Sequence, residues 1–367
     1  MATVAHMTHH RLILSILFAA ALAGIGCRSE TPVPPASPGK GANAASADAA
    51  STGASSAADS GTGASSGGAA ETLKVALLHP GRETDRGWNQ MACDALTKLG
   101  QRTGVTVRRA YSPNPSNFKS DIRAFAEQGY ALVICHGGEY VKAAREVAPR
   151  FPGTRFAATG STESGDGVAT LDFRLWEATY LCGILAARVV PEGPAGVIGG
   201  VDSYPVRCTL NAFVNGARSV APDYGAYTQY VGSWDDVAKA AQTAQSLIGG
   251  YKARVLFQNA DAAAFGVFQA ARDAGVFAFG ANSDQNDAAP DTILASAVID
   301  MEAAFEQLVE AVRTGRFEDK PIVHDLKSGG ITFVPNPRLR VKWPAGTQEL
   351  IDAARQRIIS GELDVLK

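Results

Sequence analysis

The sequence predicts an α/β protein made of two doubly wound parallel-sheet lobes joined by hinge strands. Three observations predict it. From Leu73 onward, short runs rich in apolar and β-branched residues alternate with helical stretches, a spacing that implies parallel sheets covered by helices on both faces. The alternation lasts long enough for two sheets, with a break near "GVATLDFRL". After Asp284 there remain an extended run, a helix and two short strands, the kind of late segment that crosses back between lobes.

Taken in order, "LKVALLHP" is the first strand and leads into a helix starting near Trp88. "VTVRRAYS" precedes the helix "SNFKSDIRAFAEQG", and "ALVICHGG" precedes "EYVKAAREVAPRFPG". "RFAAT" and "VATLDF" follow, then the helix "LWEATYLCGILAARVV". The pattern resumes with "AGVIGG", "PVRCTLNAFVNGARSVAP", "AYTQYVGS" and "WDDVAKAAQTAQSLIGG", and then "ARVLFQNA", "AAFGVFQAARDAG" and "VFAFGANSD". "APDTILASAVI", the helix "DMEAAFEQLVEAVRTGRF", "PIVHDL" and "GITFVP" complete the body. The first lobe is expected over 73–171 plus 297–320, the second over 172–296 plus 321–345, and a C-terminal helix over 346–367.

The 367 residues carry a net charge of −2, which lacks the basic footprint that nucleic acid requires. Arg11 precedes the apolar stretch "LILSILFAAALAGIG", which ends at Cys27. It is shorter than the ~20 residues a spanning helix needs, and its flanks fit a secretory signal over 1–27. "GIGC" resembles the lipobox of bacterial lipoproteins, with Gly24 where leucine is usual, which makes Cys27 the expected lipidation site. Residues 28–72 are dominated by Ala, Ser, Gly and Pro, with a single Val and no aromatic residue. Such a stretch cannot bury enough apolar surface to offset its ordering entropy, so a tether is expected, with a span of roughly 35–40 Å. Together these features imply an exported, lipid-anchored body. Cys93, Cys135, Cys182 and Cys208 form no metal-binding spacing. They read either as within-lobe disulfides or as buried thiols.

Ligands of doubly wound sheets bind at the carboxyl ends of the strands. That rule puts "TDRGWNQ", "CHGGEY", "GSWDD", "NADAAAFG" and "ANSDQ" on one shared surface, a cleft between the lobes. No nucleophile elbow, zinc-protease, P-loop or dinucleotide motif is present, so no catalytic residue, metal or cofactor is expected. Trp88 and Trp234 each follow a strand, one per lobe, and Phe265 lies in another strand-to-helix loop. Aromatic pairs add about 0.5–1.5 kcal/mol beyond area burial, so these rings point to a planar ligand. Asp85, Asn89, His136, Ser233, Asn282 and Asp284 are the accompanying polar candidates. Asp235 and Asp236 read as helix caps.

The motifs "TDRGWNQ", "FRLWEATYLCGILAA", "VIGGVDSYPVRCTLNAFVNGA", "GSWDDVAKAAQTAQSLI" and "GANSDQNDAAPDTILASAV" resemble, in order and spacing, those of the basic membrane protein family. That family comprises substrate-binding lipoproteins of ABC importers, purine nucleoside receptors among them, and the likeness covers nearly all of residues 73–317. It implies a type I periplasmic-binding-protein fold with three hinge crossings. It also implies a monomer that closes on a nucleoside-like ligand and presents the closed form to an ABC permease. Trp88 stands where the family has the phenylalanine of Asp-x-Ser-Phe-Asn, with Asp85 and Asn89 as its acid and amide. Trp234 matches the aromatic residue after Gly-Ser. Three positions depart: Gly160, Asn282 and Ile299 stand where nucleoside binders usually have Asp, Asp and Lys. A purine nucleoside or a free nucleobase is therefore the expected ligand. The rival readings are a ligand sensor of the same fold that feeds a signalling receptor, and a nucleoside-acting enzyme.

Overall fold

The computed structural model describes residues 72–367. The targeting segment 1–27 with Cys27, and the tether over 28–72 apart from Thr72, lie outside the described residues. The first half of the body holds β1 (Lys74–His79), α1 (Trp88–Thr103), β2 (Thr106–Tyr111), α2 (Phe118–Glu127), β3 (Leu132–Cys135), α3 (Val141–Val147), β4 (Arg155–Thr159) and β5 (Val168–Phe173). The second holds α4 (Trp176–Val189), β6 (Ala195–Gly199), α5 (Tyr204–Val220), β7 (Ala226–Tyr230), α6 (Val237–Tyr251), β8 (Val255–Asn259), α7 (Ala264–Ala274), β9 (Phe277–Asn282) and β10 (Ile293–Ile299). Then come α8 (Met301–Arg313), β11 (Pro321–His324), β12 (Ile331–Pro335) and α9 (Thr347–Ile359).

The strands form two six-stranded sheets, ordered β11-β5-β4-β3-β1-β2 and β12-β10-β9-β8-β6-β7. All neighbours are parallel except β10 and β12. Strands such as β3, β5, β6 and β8 are buried along their whole length, as expected where helices cover both faces of a parallel sheet. Strand order reverses at β1/β3 in one sheet and at β6/β8 in the other. Crevices open at the carboxyl ends of strands at such reversals. Local chemistry sets the helix ends: Asp236 caps α6 through Lys239 N–H, Asp300 caps α8 through Ala303 N–H, and left-handed glycines end α1 and α7.

The chain crosses between sheets three times, from β5 to α4, from β10 to α8, and from β11 to β12. The crossings are tied to each other. Arg174 N–H donates to His324 C=O at 2.8 Å, and Leu326 N–H donates to Glu177 Oε2 at 2.9 Å.

Three sequence-based boundaries differ from the structure. β5 continues in the first sheet through Phe173, so 172–173 belong to the first lobe and not to the second. β11 pairs with β5 in the first sheet, so the expectation that 321–345 lies wholly in the second lobe fails at this strand. Its backbone groups satisfy the otherwise open edge of β5, whereas β12 serves β10 in the same way. β10 remains in the second sheet through Ile299, so 297–299 belong there and not with the first lobe. Cys93, Cys135, Cys182 and Cys208 are all buried, unpaired thiols. Among the described residues no helix is long and apolar enough to cross a membrane.

Candidate functional site

Helix α1 begins at Trp88 with Gly87 before it, and Gly87 has no side chain to cap the first turn. Asp85 does so instead. Its Oδ1 accepts the N–H groups of Gly87 and Gln90, both at 2.9 Å. Its Oδ2 accepts from the Asn89 N–H at 3.0 Å and from Asn89 Nδ2 at 2.7 Å. Asn89 Oδ1 in turn accepts the Gly81 N–H at 3.0 Å. The remaining first-turn donor, Trp88 N–H, goes to Asp261 Oδ1 at 3.1 Å. Asp261 follows β8, so this bond joins the two lobes and completes the capping of a helix whose first N–H groups need outside acceptors. A side chain on Gly87 would come within 3.0 Å of the Asp261 backbone. The lobes are closed against each other at this point.

Asp261 has a left-handed backbone, with φ of 48°. Some of its surface still borders the cleft, but its carboxyl lies inside the closed contact. Burial pushes the acid up to about 7, and the nearby Asp85 charge adds to the effect. Asn282, also left-handed at φ 69°, donates from Nδ2 to Asn259 Oδ1 at 3.2 Å and to Asp261 Oδ1 at 3.3 Å. Asn259 donates to Thr209 Oγ1 at 3.1 Å. These four residues form one hydrogen-bonded polar wall on the second lobe.

Between the lobes lies a cleft of about 1010 Å³. It brings together six of the nine sequence candidates: Asp85, Trp88, Asn89, Ser233, Trp234 and Asn282. The Trp88 ring is fixed on two sides, stacked on His136 with centroids 4.3 Å apart and edge-on to Phe173 at 5.9 Å. Trp234 belongs to the opposite lobe, lies against Gly200 and is 38% exposed. Ser233 Oγ donates to Asp235 Oδ1 at 2.6 Å and accepts the Asp235 and Asp236 N–H groups. Ser233, Asp85 and Asn89 thus use polar atoms to shape the loops that carry the rings.

Three candidates lie elsewhere. His136 is fully buried beneath Trp88. Its Nε2 bonds the Trp88 carbonyl and its Nδ1 the Thr159 hydroxyl, each at 3.0 Å. Burial lowers the imidazole to about 3, so it is a neutral support for the indole. Phe265 and Asp284 border a separate groove of about 460 Å³ on the other side of α1. Phe265 is the second residue of α7, and its ring sits under Arg86 with 5.3 Å between guanidinium and centroid. Asp284 accepts the Asn286 N–H at 3.0 Å and shapes a turn.

The cleft also contains residues not singled out from sequence: Tyr111, Glu139, Phe173, Trp176, Thr209, Asn259 and Asp261. Trp176 had a legible signal, as the first residue of the helix after a crossing. Asp261 lay within "NADAAAFG", correctly placed on the cleft surface, but its left-handed turn cannot be read from composition. Glu139 is exposed into the cleft, whose walls raise its carboxyl by desolvation.

A sequence profile of the family described as "ABC transporter substrate-binding protein PnrA-like" matches residues 72–365. The chain belongs to this family. A purine-binding protein of Brucella abortus (strain 2308) is 30% identical over 304 residues, which cover 81% of this chain and 85% of the relative. The ABC transporter nucleoside-binding protein BmpA of Lactococcus lactis is 26% identical, with coverage of 82% and 91%. Among solved structures, an ABC transporter solute-binding protein from Aeropyrum pernix K1 superposes with a TM-score of 0.71 at 23% identity, covering 80% of this chain and 92% of that one. PnrA-like proteins are the substrate-binding components of ABC transporters and not enzymes. In this PnrA-like chain, Gly160, Asn282 and Ile299, the three positions where the sequence reading expected departures, all border the cleft.

Proposed function

We propose that this ABC transporter substrate-binding protein closes over a small planar metabolite, a purine nucleoside or nucleobase, and delivers it to a membrane permease. The observation that carries the reading is one cavity bordered by a tryptophan from each lobe, Trp88 and Trp234, beside the amide of Asn282. A ligand that touches both rings favours the closed arrangement, because only that arrangement offers both contacts. The indoles supply flat apolar faces. Asn282 supplies the hydrogen-bonding edge: its Oδ1 has no donor among the described residues, while its Nδ2 is held by Asn259 and Asp261. Glycine at 160 and isoleucine at 299 offer no acid or cation to ribose or base at those two positions, so a free nucleobase ranks with a nucleoside. The purine-binding and nucleoside-binding relatives support the same ligand class. The signal-like segment and Cys27 support export and lipid anchoring.

A thermal-shift screen of purine bases, nucleosides and simple sugars tests the reading. Ligand that binds only the native state raises the melting temperature by mass action. A shift with purines and none with sugars is expected. A shift with sugars alone would refute the assignment.

A further inference from the structure

The sequence spacing holds no metal motif, yet the fold gathers three metal-ligating side chains behind the β1–α1 loop. His79 ends β1 and its ring is fully buried. Its Nδ1 lies 2.8 Å from the Gly81 carbonyl oxygen. A carbonyl only accepts, so Nδ1 carries the hydrogen and Nε2 keeps its lone pair. That Nε2 is buried and has no hydrogen-bond partner among the described residues, a state that costs about 1–3 kcal/mol.

Cys93 Sγ and the Glu83 carboxylate face this nitrogen. The ligating atoms of the three residues all lie within 4.8 Å of one another, with Glu83 Oε1 3.4 Å from His79 Nε2. Arg109 Nη2 holds the other Glu83 oxygen at 3.3 Å, which leaves Oε1 toward the histidine. Cys93 is 1% exposed.

We propose that His79 Nε2, Cys93 Sγ and Glu83 Oε1 form a binding site for zinc. An imidazole, a thiolate and a carboxylate are the ligand types that zinc accepts together, and thiolate disfavours magnesium and calcium. A histidine tautomer fixed by a backbone carbonyl is the usual outer support of a metal ligand. On binding, the Cys93 S–H bond is replaced by S–Zn and the proton leaves to solvent. Thiolate and carboxylate together balance the two positive charges of the ion. Arg109, Asp85 and Asp94 are the other charged groups around Cys93. The half-exposed Glu83 moves inward to close the ligand shell, and the fourth position is open to water on that side. The metal would then pin the segment from Gly81 to Asp85, which borders the cleft, without itself contacting the ligand.

The test uses the full chain with its thiols reduced. Zinc is titrated against a chromophoric chelator, and cobalt(II) is added separately to look for thiolate-to-metal charge-transfer absorption. One equivalent of zinc and a thiolate band are expected, both abolished in Cys93→Ser and His79→Gln. Because those buried changes can disturb folding, Glu83→Gln is the second probe. It should weaken zinc binding at least tenfold with circular dichroism and melting of the metal-free protein unchanged. Cys208→Ser and Cys27→Ser should retain the site. Absence of stoichiometric zinc, a cobalt spectrum without the thiolate band, a band that survives Cys93→Ser, or an unaltered Glu83→Gln would each overturn the proposal.

Discussion

Asp261 Oδ1 accepts the Trp88 backbone N–H at 3.1 Å, so an acid of one lobe caps the helix that carries the other lobe's tryptophan. Closure and helix capping are therefore one event. Opening the cleft leaves that N–H to water and releases the carboxyl from the interface. Replacing Asp261 with alanine removes the latch, and an intramolecular hydrogen bond is typically worth about 0.5–1.5 kcal/mol. Small-angle scattering of the ligand-free protein should give a larger radius of gyration for Asp261→Ala than for the parent. Asp261→Asn keeps an acceptor and should stay compact. Identical scattering from all three would exclude the latch.

The same acid sets a pH dependence. Folding raises Asp261 from 3.8 to about 7 and Glu177 from 4.5 to about 7. The native chain holds two protons that the unfolded chain gives up in that window, so stability falls as pH rises through it. His136 acts in the opposite sense, lowered from 6.5 to about 3. Below pH 6.5 the unfolded chain takes a proton that the buried ring refuses, which costs stability as pH falls. Glu139 and Asp172 are raised by burial as well, and His324 is lowered by burial as well. The raised acids outnumber the lowered imidazoles, so net stability between about pH 5 and 6.5 should decline with rising pH. Asp261→Asn should flatten that slope in denaturant titrations. An unchanged slope would mean that the carboxyl keeps its ordinary acidity.

Asp85 tests whether the Asp-Asn pair serves the loop or the ligand. Its carboxylate accepts from Gly87, Gln90 and Asn89, the last twice. Asp85→Ala should therefore cost about 2–4 kcal/mol of stability, more than an ordinary cap because several donors lose one acceptor. Denaturant unfolding measures it. A loss of ligand affinity with stability unchanged would instead make Asp85 a ligand contact.

These assignments mark what was legible in the sequence. Alternation of strands and helices placed both sheets and the surface where they face each other, because hydrophobic period and the carboxyl-end rule act locally. Trp88 and Trp234 followed from position alone. β11 was misplaced because a run as short as "PIVH" carries no sign of which open edge it will join. His136 and Phe265 were misread for a related reason. A residue just past a strand can turn toward the cleft or beneath it, and the neighbouring side chain decides: His136 lies under the Trp88 indole, and Phe265 under the Arg86 guanidinium. Asp261 was missed because its role depends on a partner 173 positions away.

Gly160 offers a test of ligand class. It has φ of 68°, and a side chain there would stand 3.8 Å from Trp88 Cζ2. Aspartate tolerates left-handed backbone better than most residues, at a cost on the order of 1 kcal/mol. Gly160→Asp should raise affinity for purine nucleosides relative to free bases, by roughly tenfold if one ribose hydroxyl gains a charged partner. Competition binding between a base and its nucleoside reads the ratio. A ratio unmoved by the substitution would show that ribose lies elsewhere in the cleft.

The most direct measurement is calorimetric titration of purine bases and nucleosides into the parent protein and into Trp234→Ala. Saturable one-to-one binding is expected in the parent, weakened at least tenfold, about 1.4 kcal/mol, by loss of the indole. No purine binding in the parent, or equal affinity in a folded Trp234→Ala, would contradict a ligand held between the two lobes' tryptophans.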